Sequence, residues 1–168
     1  MQHKLAIALA VVSVALLSAC GRSQLAQPAA NEQIVREFFA AIDSGNLDRV
    51  RQLAADDLAL HALGVPQALS KDGLVEAIKG FYAAFPDNRH VIEQTLAADD
   101  RVAVVITQHA TSKGPYEGAP ATGQRVTIHA IHILKFRNGQ IHEWWGLEDN
   151  LGLMQQLGME LKPRAAQN

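Results

Sequence analysis

Cysteine is almost missing from the sequence, since Cys20 is the single example in 168 residues. An internal disulfide is therefore excluded, and neither the Cys-x-x-Cys nor the His-Glu-x-x-His spacing of zinc sites occurs. An excess of positive charge is also missing, because 15 Lys and Arg residues stand against 17 Asp and Glu residues. Nucleic acid is therefore not an expected partner.

The composition has none of the biases that mark fibrous or disordered chains. It is 48% hydrophobic and 19% charged, with 12 Gly and 6 Pro. These values exclude collagen, a coiled coil and wholesale disorder, and the length fits one globular domain.

The most apolar stretch is too short for a relaxed membrane span. Leu5–Leu17 has 13 residues, whereas a spanning helix needs about 20. It follows the positively charged start Met1–Lys4, which is typical of a secretory signal peptide. The tetrad Leu17-Ser18-Ala19-Cys20 resembles the bacterial lipobox. That resemblance implies removal of residues 1–19 and acylation of Cys20, which would anchor the protein to a membrane without crossing it.

Two other interpretations of this segment stay open. It could be an ordinary signal peptide with a chance cysteine, or an anchor that is not cleaved. If it is a lipobox, Gly21 rather than Asp after the cysteine implies the outer membrane in a Gram-negative source. Residues 20–30 are then the lipidated cysteine and a flexible tether, because they are small, polar and Pro-containing.

The first half of the remaining chain is predicted to be mainly helical. A helix of about 14 residues begins at an N-cap, Asn31, and stops at Gly45. Further elements follow: a helix over Leu47–Ala54, a strand over Leu58–Leu63, and a helix capped by Ser70-Lys71-Asp72-Gly73 and ended by Pro86-Asp87.

The second half is predicted to be strands. Asn138-Gly139 indicates a hairpin, because both positions tolerate positive φ. Helices followed by an antiparallel meander predict an α+β domain over residues 31–160, with helices packed on a strongly curved sheet and a tail over 161–168. The predicted elements are strands over Val91–Ala97, Val102–Thr111, Arg125–Phe136 and Gln140–Leu147, a rim loop over Ser112–Gly123, and a closing helix over Leu151–Leu157.

Several short motifs in this half match one known family. They are Phe85-Pro86-Asp87, Asp100-Arg101-Val102, Gly118-x-Pro120-x-Thr122-Gly123, Phe136-x-x-Gly139-x-Ile141-x-Glu143-x-Trp145-x-x-x-Asp149 and Leu151-Gly152-Leu153-x-x-Gln156-Leu157-Gly158. The chain over residues 31–158 thus resembles the SnoaL-like polyketide cyclase, or ester cyclase, family of the nuclear transport factor 2-like superfamily. The resemblance implies a cone in which a bent sheet wraps a helix and leaves a pocket.

The resemblance also implies a chemistry. Family members with known activity close a ring by intramolecular aldol condensation, with no metal and no organic cofactor, and use an Asp at the base of the pocket as acid and base. By position that residue is Asp149, and a carboxyl group in an apolar pocket would have a raised pKa suited to this task. The alternative role for Asp149, an N-cap of the closing helix, is equally compatible with the sequence.

Alternation along the last strand places Glu143, Trp145 and Asp149 on one face, and Trp144 and Glu148 on the other. The first face is predicted to line the pocket. Three further aromatic or polar side chains are candidates for contact with the ligand: Tyr82, Phe85 and His109.

Two histidines are candidate catalytic partners of Asp149. His132 shares its face with apolar residues and is expected to be buried, whereas His129 is not. His61 matches a position at which family members carry a pocket histidine. One departure from the family pattern is Ala110-Thr111-Ser112, where members commonly read Gly-Thr-His.

Three functions follow from these observations. The protein is an enzyme acting on a small hydrophobic carbonyl compound, a lipoprotein of the cell envelope that binds such a compound without turnover, or a partner protein that uses the outer face of its sheet. The superfamily often dimerises through that face, and a homodimer is therefore expected here.

Overall fold

A computed structural model of the chain describes residues 27–62, 66–160 and 162. The predicted signal peptide, Cys20 and the first part of the predicted tether lie outside the described residues. The elements in chain order are α1 over residues 27–43, α2 over Leu47–Leu53, β1 over Ala54–Ala62, α3 over Lys71–Ala84, β2 over Arg89–Ala98, β3 over Arg101–Thr111, β4 over Arg125–Arg137, β5 over Gln140–Glu148 and α4 over Asn150–Gln156.

The strands form one sheet in the order β1-β5-β4-β3-β2. Strands β2 to β5 are an antiparallel meander, and β1 joins its edge parallel to β5. The predicted α+β class with a mostly antiparallel sheet is confirmed. None of the described helices is long and apolar enough to cross a bilayer.

Helix α1 starts earlier than the sequence predicts. Asn31 lies inside the helix, is 1% exposed, and its side-chain amide donates to the Asp99 carbonyl at 3.4 Å. The predicted N-cap at Asn31 is therefore wrong, and residues 27–30 are helix rather than tether. Pro28 does not prevent this, because proline is tolerated where a helix begins.

Strand β1 also begins earlier than predicted. The sequence predicts a strand from Leu58, but Asp56 and Asp57 already belong to the strand and are exposed where its register with β5 shifts. Asp57 accepts a hydrogen bond from Arg137 at 2.6 Å. The aspartates thus interrupt the pairing without ending the strand.

The core lies between the inner face of the sheet, defined as the face covered by α1 and α3, and these helices. Phe38 is fully buried and meets Trp144 edge to face at 5.4 Å. A second cluster closes the other end of the sheet, and Phe85 is fully buried in it. Phe85, predicted to contact the ligand, is a core residue because it turns inward just beyond the last turn of α3.

A bulge in β5 reverses the predicted alternation. Phe136 pairs with Ile141, and Lys135 pairs with Glu143. His142 is therefore an extra residue of β5 that has no partner on β4. Ile141 and Trp144 are consequently both buried although they are three residues apart. After the bulge, Trp144, Gly146 and Glu148 lie on the inner face and line a cavity there.

We expect deletion of His142 to remove the bulge and keep the faces as they are. The paired residues on both sides of the extra residue would join into a regular ladder, so Trp144 would stay inside. The melting temperature, measured by circular dichroism, should remain within a few degrees of the parent. Trp144→Ala, which removes the core contacts themselves, should cost about 3–5 kcal/mol and lower the melting temperature by at least about 10 °C. A deletion variant that melts as low as Trp144→Ala would contradict this register.

Candidate functional site

A cavity of about 590 Å³ lies between the inner face and helices α1 and α3. Its volume is within the usual range of small-molecule sites, about 300–1,000 Å³. Much of the wall is apolar and includes Phe39, Ile42, Leu60, Leu74, Ile78 and Phe81. A smaller set of polar groups reaches it from several elements: Tyr82, His90, Gln108, His132, Glu148 and Tyr116.

Glu148 is the carboxyl group that β5 presents to the cavity. It pairs across the ladder with Ala130, whose small side chain leaves space beside it. Burial raises the pKa of Glu148, and the nearby charge of Glu117 raises it further, while His90 opposes the shift. A glutamic acid in this setting keeps its proton to a higher pH than a solvated one and can donate it.

His132 is 3% exposed and held in one tautomer. The Trp144 indole nitrogen, which can only donate, lies 3.1 Å from Nδ1 of His132. Nδ1 is therefore the acceptor, and the neutral ring carries its hydrogen on Nε2. Burial lowers the pKa of His132 to about 4, and the charge of His90 adds to this effect.

Gly146 makes room for this hydrogen bond. A Cβ atom at Gly146 would lie 3.0 Å from Nδ1 of His132 and 3.6 Å from the indole nitrogen of Trp144. Any larger residue would thus press on the bonded pair. The glycine also deepens the cavity beside Glu148.

A third polar cluster, formed by Asp43 of α1 and His90 of β2, joins these two elements. Asp43 accepts from the ring Nδ1 of His90 at 2.6 Å and from its backbone nitrogen at 3.0 Å. The hydroxyl of Tyr82 donates to the same carboxylate at 3.1 Å. Burial opposes ionisation of Asp43, but these hydrogen bonds outweigh it, so the pKa of Asp43 is lowered. Burial raises the pKa of Tyr82 to about 12, which keeps its hydroxyl a donor.

The structure places Asp149 outside the residues that line the cavity. Asp149 is exposed, and its side chain caps α4 by accepting from the Gly152 backbone nitrogen at 2.8 Å. Asp149 is therefore the N-cap of α4, which is the second of the two roles that the sequence allows. Because of the bulge, the carboxyl group that β5 presents to the cavity is that of its neighbour, Glu148, and Glu117 is a second carboxyl group in the lining.

Other predicted residues lie on the outer face. His61 stacks on Trp145 with ring centroids 5.3 Å apart, and its Nε2 is 3.4 Å from a carboxylate oxygen of Glu143. On β1, Leu60 takes the inner position, so the next residue, His61, points outward. The predicted pocket positions of His61, Trp145 and Glu143 are therefore wrong.

His109 also points away from the cavity. It is exposed and its Nδ1 lies 3.3 Å from the Thr127 hydroxyl on β4. Of the predicted site residues, His132 and Tyr82 are the ones that line the cavity. Within residues 27–62, 66–160 and 162, no group of three or more His, Cys, Asp or Glu side chains is arranged to hold a metal ion.

We expect His132 to make stability dependent on pH. Its pKa is about 4 in the folded protein and about 6.5 when unfolded, so the unfolded chain binds more protons between these values. The stabilisation is present above pH 6.5 and is lost as the pH falls to 4, by up to about 3 kcal/mol.

His132→Gln retains an acceptor for the Trp144 indole and lacks the titration. Its free energy of unfolding, measured by urea denaturation at pH 7, 5.5 and 4.5, should fall less steeply than that of the parent. His129→Gln changes an exposed histidine on the same strand and should follow the parent. Identical slopes for the parent and His132→Gln would contradict the expectation.

Comparison with known proteins agrees with this architecture. A family model described as SnoaL-like polyketide cyclase matches residues 32–157. No curated protein matches the chain. Among solved structures, AclR from Streptomyces galilaeus, a proposed hydroxylase, is 29% identical with a TM-score of 0.72, covering 78% of this chain and 97% of AclR.

Two further structures are similar. A proposed polyketide cyclase from Bacillus cereus is 30% identical with a TM-score of 0.65, covering 77% of this chain and 80% of that one. A proposed SnoaL-like polyketide cyclase from Jannaschia is 20% identical with a TM-score of 0.74, covering 80% of this chain and 96% of that one, and shows the fold alone. Since the family model spans most of the chain and every element from β1 to β5, the protein belongs to the SnoaL-like polyketide cyclase family.

Proposed function

We propose that the protein binds a small apolar carbonyl compound in the cavity and catalyses acid/base chemistry on it, with Glu148 as the acid. One observation carries the proposal: a largely buried carboxyl group with a raised pKa faces an apolar cavity of about 590 Å³. This is the arrangement that lets a carboxylic acid keep its proton to a higher pH than a solvated one and donate it to a ligand.

The chemistry begins at the ligand's carbonyl oxygen. A hydrogen bond from protonated Glu148 draws electron density from the carbonyl group and makes the adjacent carbon more acidic. His132 offers its Nε2 hydrogen as a second donor, because Trp144 occupies its other nitrogen. Aldol cyclisation, isomerisation and hydrolysis all start with this polarisation.

The walls suit a flat ligand. Phe39, Phe81, Tyr82 and Trp144 all line the cavity and present aromatic surface. Rings that pack against such walls bury apolar area while their polar edge reaches the donors. The similar protein from Bacillus cereus is a proposed polyketide cyclase, and polyketides are compounds of this kind.

We expect Glu148→Gln to keep binding and lose turnover. The probe is 2-tetralone, a flat aromatic ketone whose acidic carbon exchanges hydrogen for deuterium in D₂O. Exchange is followed by NMR, and binding by quenching of Trp144 fluorescence. Loss of the acid should slow the catalysed exchange by about 10²–10⁴-fold and leave the dissociation constant nearly unchanged.

Asp149→Asn is the matched control. Asparagine is also a good N-cap, so α4 should keep its stability, and the exchange rate should equal that of the parent. If Asp149→Asn abolishes exchange and Glu148→Gln does not, the role belongs to Asp149, as the family resemblance implies.

The alternative function is binding without turnover in the cell envelope, with a lipid anchor at Cys20. The end of β3 supports this alternative. There, the backbone nitrogen and the hydroxyl of Thr111 donate hydrogen bonds to the Asp87 carboxylate at 2.7 and 2.6 Å. The family's usual histidine after this threonine is replaced by Ser112, which is buried. A parent protein that binds 2-tetralone but does not accelerate exchange would favour this alternative.

We also propose that the outer face of the sheet pairs with a second copy of the chain. Exposed apolar residues are adjacent there by register, since Ile131 pairs with Leu147 and Ile133 with Trp145, and all four are 37–52% exposed. Contiguous apolar surface of this kind marks an interaction site. Lys135 and Glu143 lie on the same face with their charged atoms 3.9 Å apart, and a face that carries both signs can be complementary to its own copy.

We expect Ile131→Arg and Leu147→Arg to give a monomer in sedimentation experiments, while the parent sediments as a dimer. The buried arginines would lack partners in a symmetric contact, which disfavours association. Leu151→Arg, an exposed apolar position on α4, is the control and should remain dimeric. A monomeric parent would contradict the proposal.

A further inference from the structure

His90 is a cavity group to which the proposed function gives no role. His90, at the start of β2, lines the cavity, and its side chain is only 8% exposed. It pairs in register with Gln108 of β3, another buried cavity residue. His90 and Glu148 thus reach the same space from β2 and β5, with β3 and β4 between them.

Asp43 fixes the tautomer of His90. One carboxylate accepts both the backbone N–H, at 3.0 Å, and the ring Nδ1, at 2.6 Å. A carboxylate can only accept, so Nδ1 must carry the hydrogen. In the neutral ring, Nε2 is then the nitrogen with a free electron pair. Two bonds from one side chain also hold the ring in a single orientation.

Other groups support this geometry. The Tyr82 hydroxyl, which has one hydrogen, lies 3.1 Å from an Asp43 carboxylate oxygen and 3.3 Å from the Asn88 carbonyl. The shorter contact, to Asp43, fixes the carboxylate from a third direction. Phe39 lies against the imidazole with ring centroids 5.0 Å apart. The charged or titratable groups that face His90 are therefore Asp43 and Tyr82, with His132 and Glu148 close enough to feel its charge. The neighbouring Arg89 is exposed and bonds the Asn88 carbonyl.

We propose that Asp43 and His90 form the base of this site, with Nε2 of His90 taking the proton from the carbon beside the ligand's carbonyl group. The inference rests on the proposed function, because it supplies the partner that Glu148 needs. An acid and a base that reach one cavity from separate strands can act on two ends of one carbonyl unit. Asp43 is a positioning residue, since it acts through His90.

The proton transfers balance in one step. The carbon–hydrogen bond breaks, its proton goes to Nε2 of His90, and its electron pair forms a carbon–carbon double bond. The carbonyl oxygen takes the proton of Glu148. The products are a neutral enol, an imidazolium paired with the Asp43 carboxylate, and a Glu148 carboxylate. The imidazolium is stabilised by the Asp43 carboxylate, which is already hydrogen-bonded to the neutral ring in the resting protein.

A purely structural ion pair would be an expensive use of these residues. Burying a charged group costs free energy that its partner does not always return. His90 also lines the cavity, while Asp43 lies behind it, outside the lining residues. A neutral imidazole held by a carboxylate, with its second nitrogen free, is the arrangement that general bases use.

The test combines a measurement on the parent protein with variants. Two-bond ¹H–¹⁵N NMR of the imidazoles at pH 8 reports which nitrogen carries the hydrogen. We expect the Nδ1–H tautomer for His90 in the parent, and Asp43→Asn should disturb it. An Nε2–H tautomer in the parent would overturn the inference without any mutation.

Deuterium exchange into 2-tetralone provides the second readout. His90→Gln should slow the catalysed exchange by about 10²-fold or more with the dissociation constant changed less than about threefold. Asp43→Asn should lose rate together with the tautomer, and Tyr82→Phe should lose less. His109→Gln, on the outer face, is the control and should exchange at the parent rate.

The outcomes separate this inference from the proposed function. Exchange that depends on Glu148 but not on His90 would overturn the base assignment and leave the function standing. A parent that binds 2-tetralone without exchange would overturn both. Exchange lost in both Glu148→Gln and His90→Gln, with binding retained, would support both.

Discussion

One extra residue in β5 determines what the cavity contains. If His142 and Glu143 held consecutive positions in the ladder, with no bulge, the residues after them would alternate in the opposite sense, and Trp145 would lie inside instead of Trp144. Trp144 packs on Phe38 in the core and donates to His132 in the cavity. The same shift brings Glu148 inward and leaves Asp149 to cap α4. The core, the neutral histidine and the cavity's acid all depend on this register.

The polar groups of the cavity are stabilised by partners outside the ligand space. Asp43 is bonded by His90 and Tyr82, and His132 by Trp144. Buried polar groups without such partners would cost several kcal/mol of folding free energy. Their positions are therefore set before any ligand arrives, and preorganised donors and acceptors are what acid/base chemistry requires.

Most of the fold could be predicted from local pattern, and much of the site could not. The four strands of the meander follow from alternating apolar residues, and the Asn138-Gly139 turn has both residues at positive φ. The burial of His132 could be predicted from its apolar neighbours on β4. The prediction of inward and outward residues from alternation is wrong in β5, because it assumes a ladder without bulges. No residue before Glu143 indicates the bulge. The spacing of three between Ile141 and Trp144 is the one signal that points to it. Asp43 and His90 are 47 residues apart and meet only because α1 packs over the edge of the sheet.

Phe39 packs on two imidazoles at once, with ring centroids 5.0 Å from His90 and 5.8 Å from His132. Positive charge on His90 makes His132 harder to protonate. Of the two rings, His90 is the one with a carboxylate, that of Asp43, bonded to it. When His90 takes a proton from the ligand, the positive charge therefore forms beside Asp43, at a fixed place on the wall. Which end of an unsymmetrical ligand reacts would follow from that asymmetry of charge rather than from shape alone.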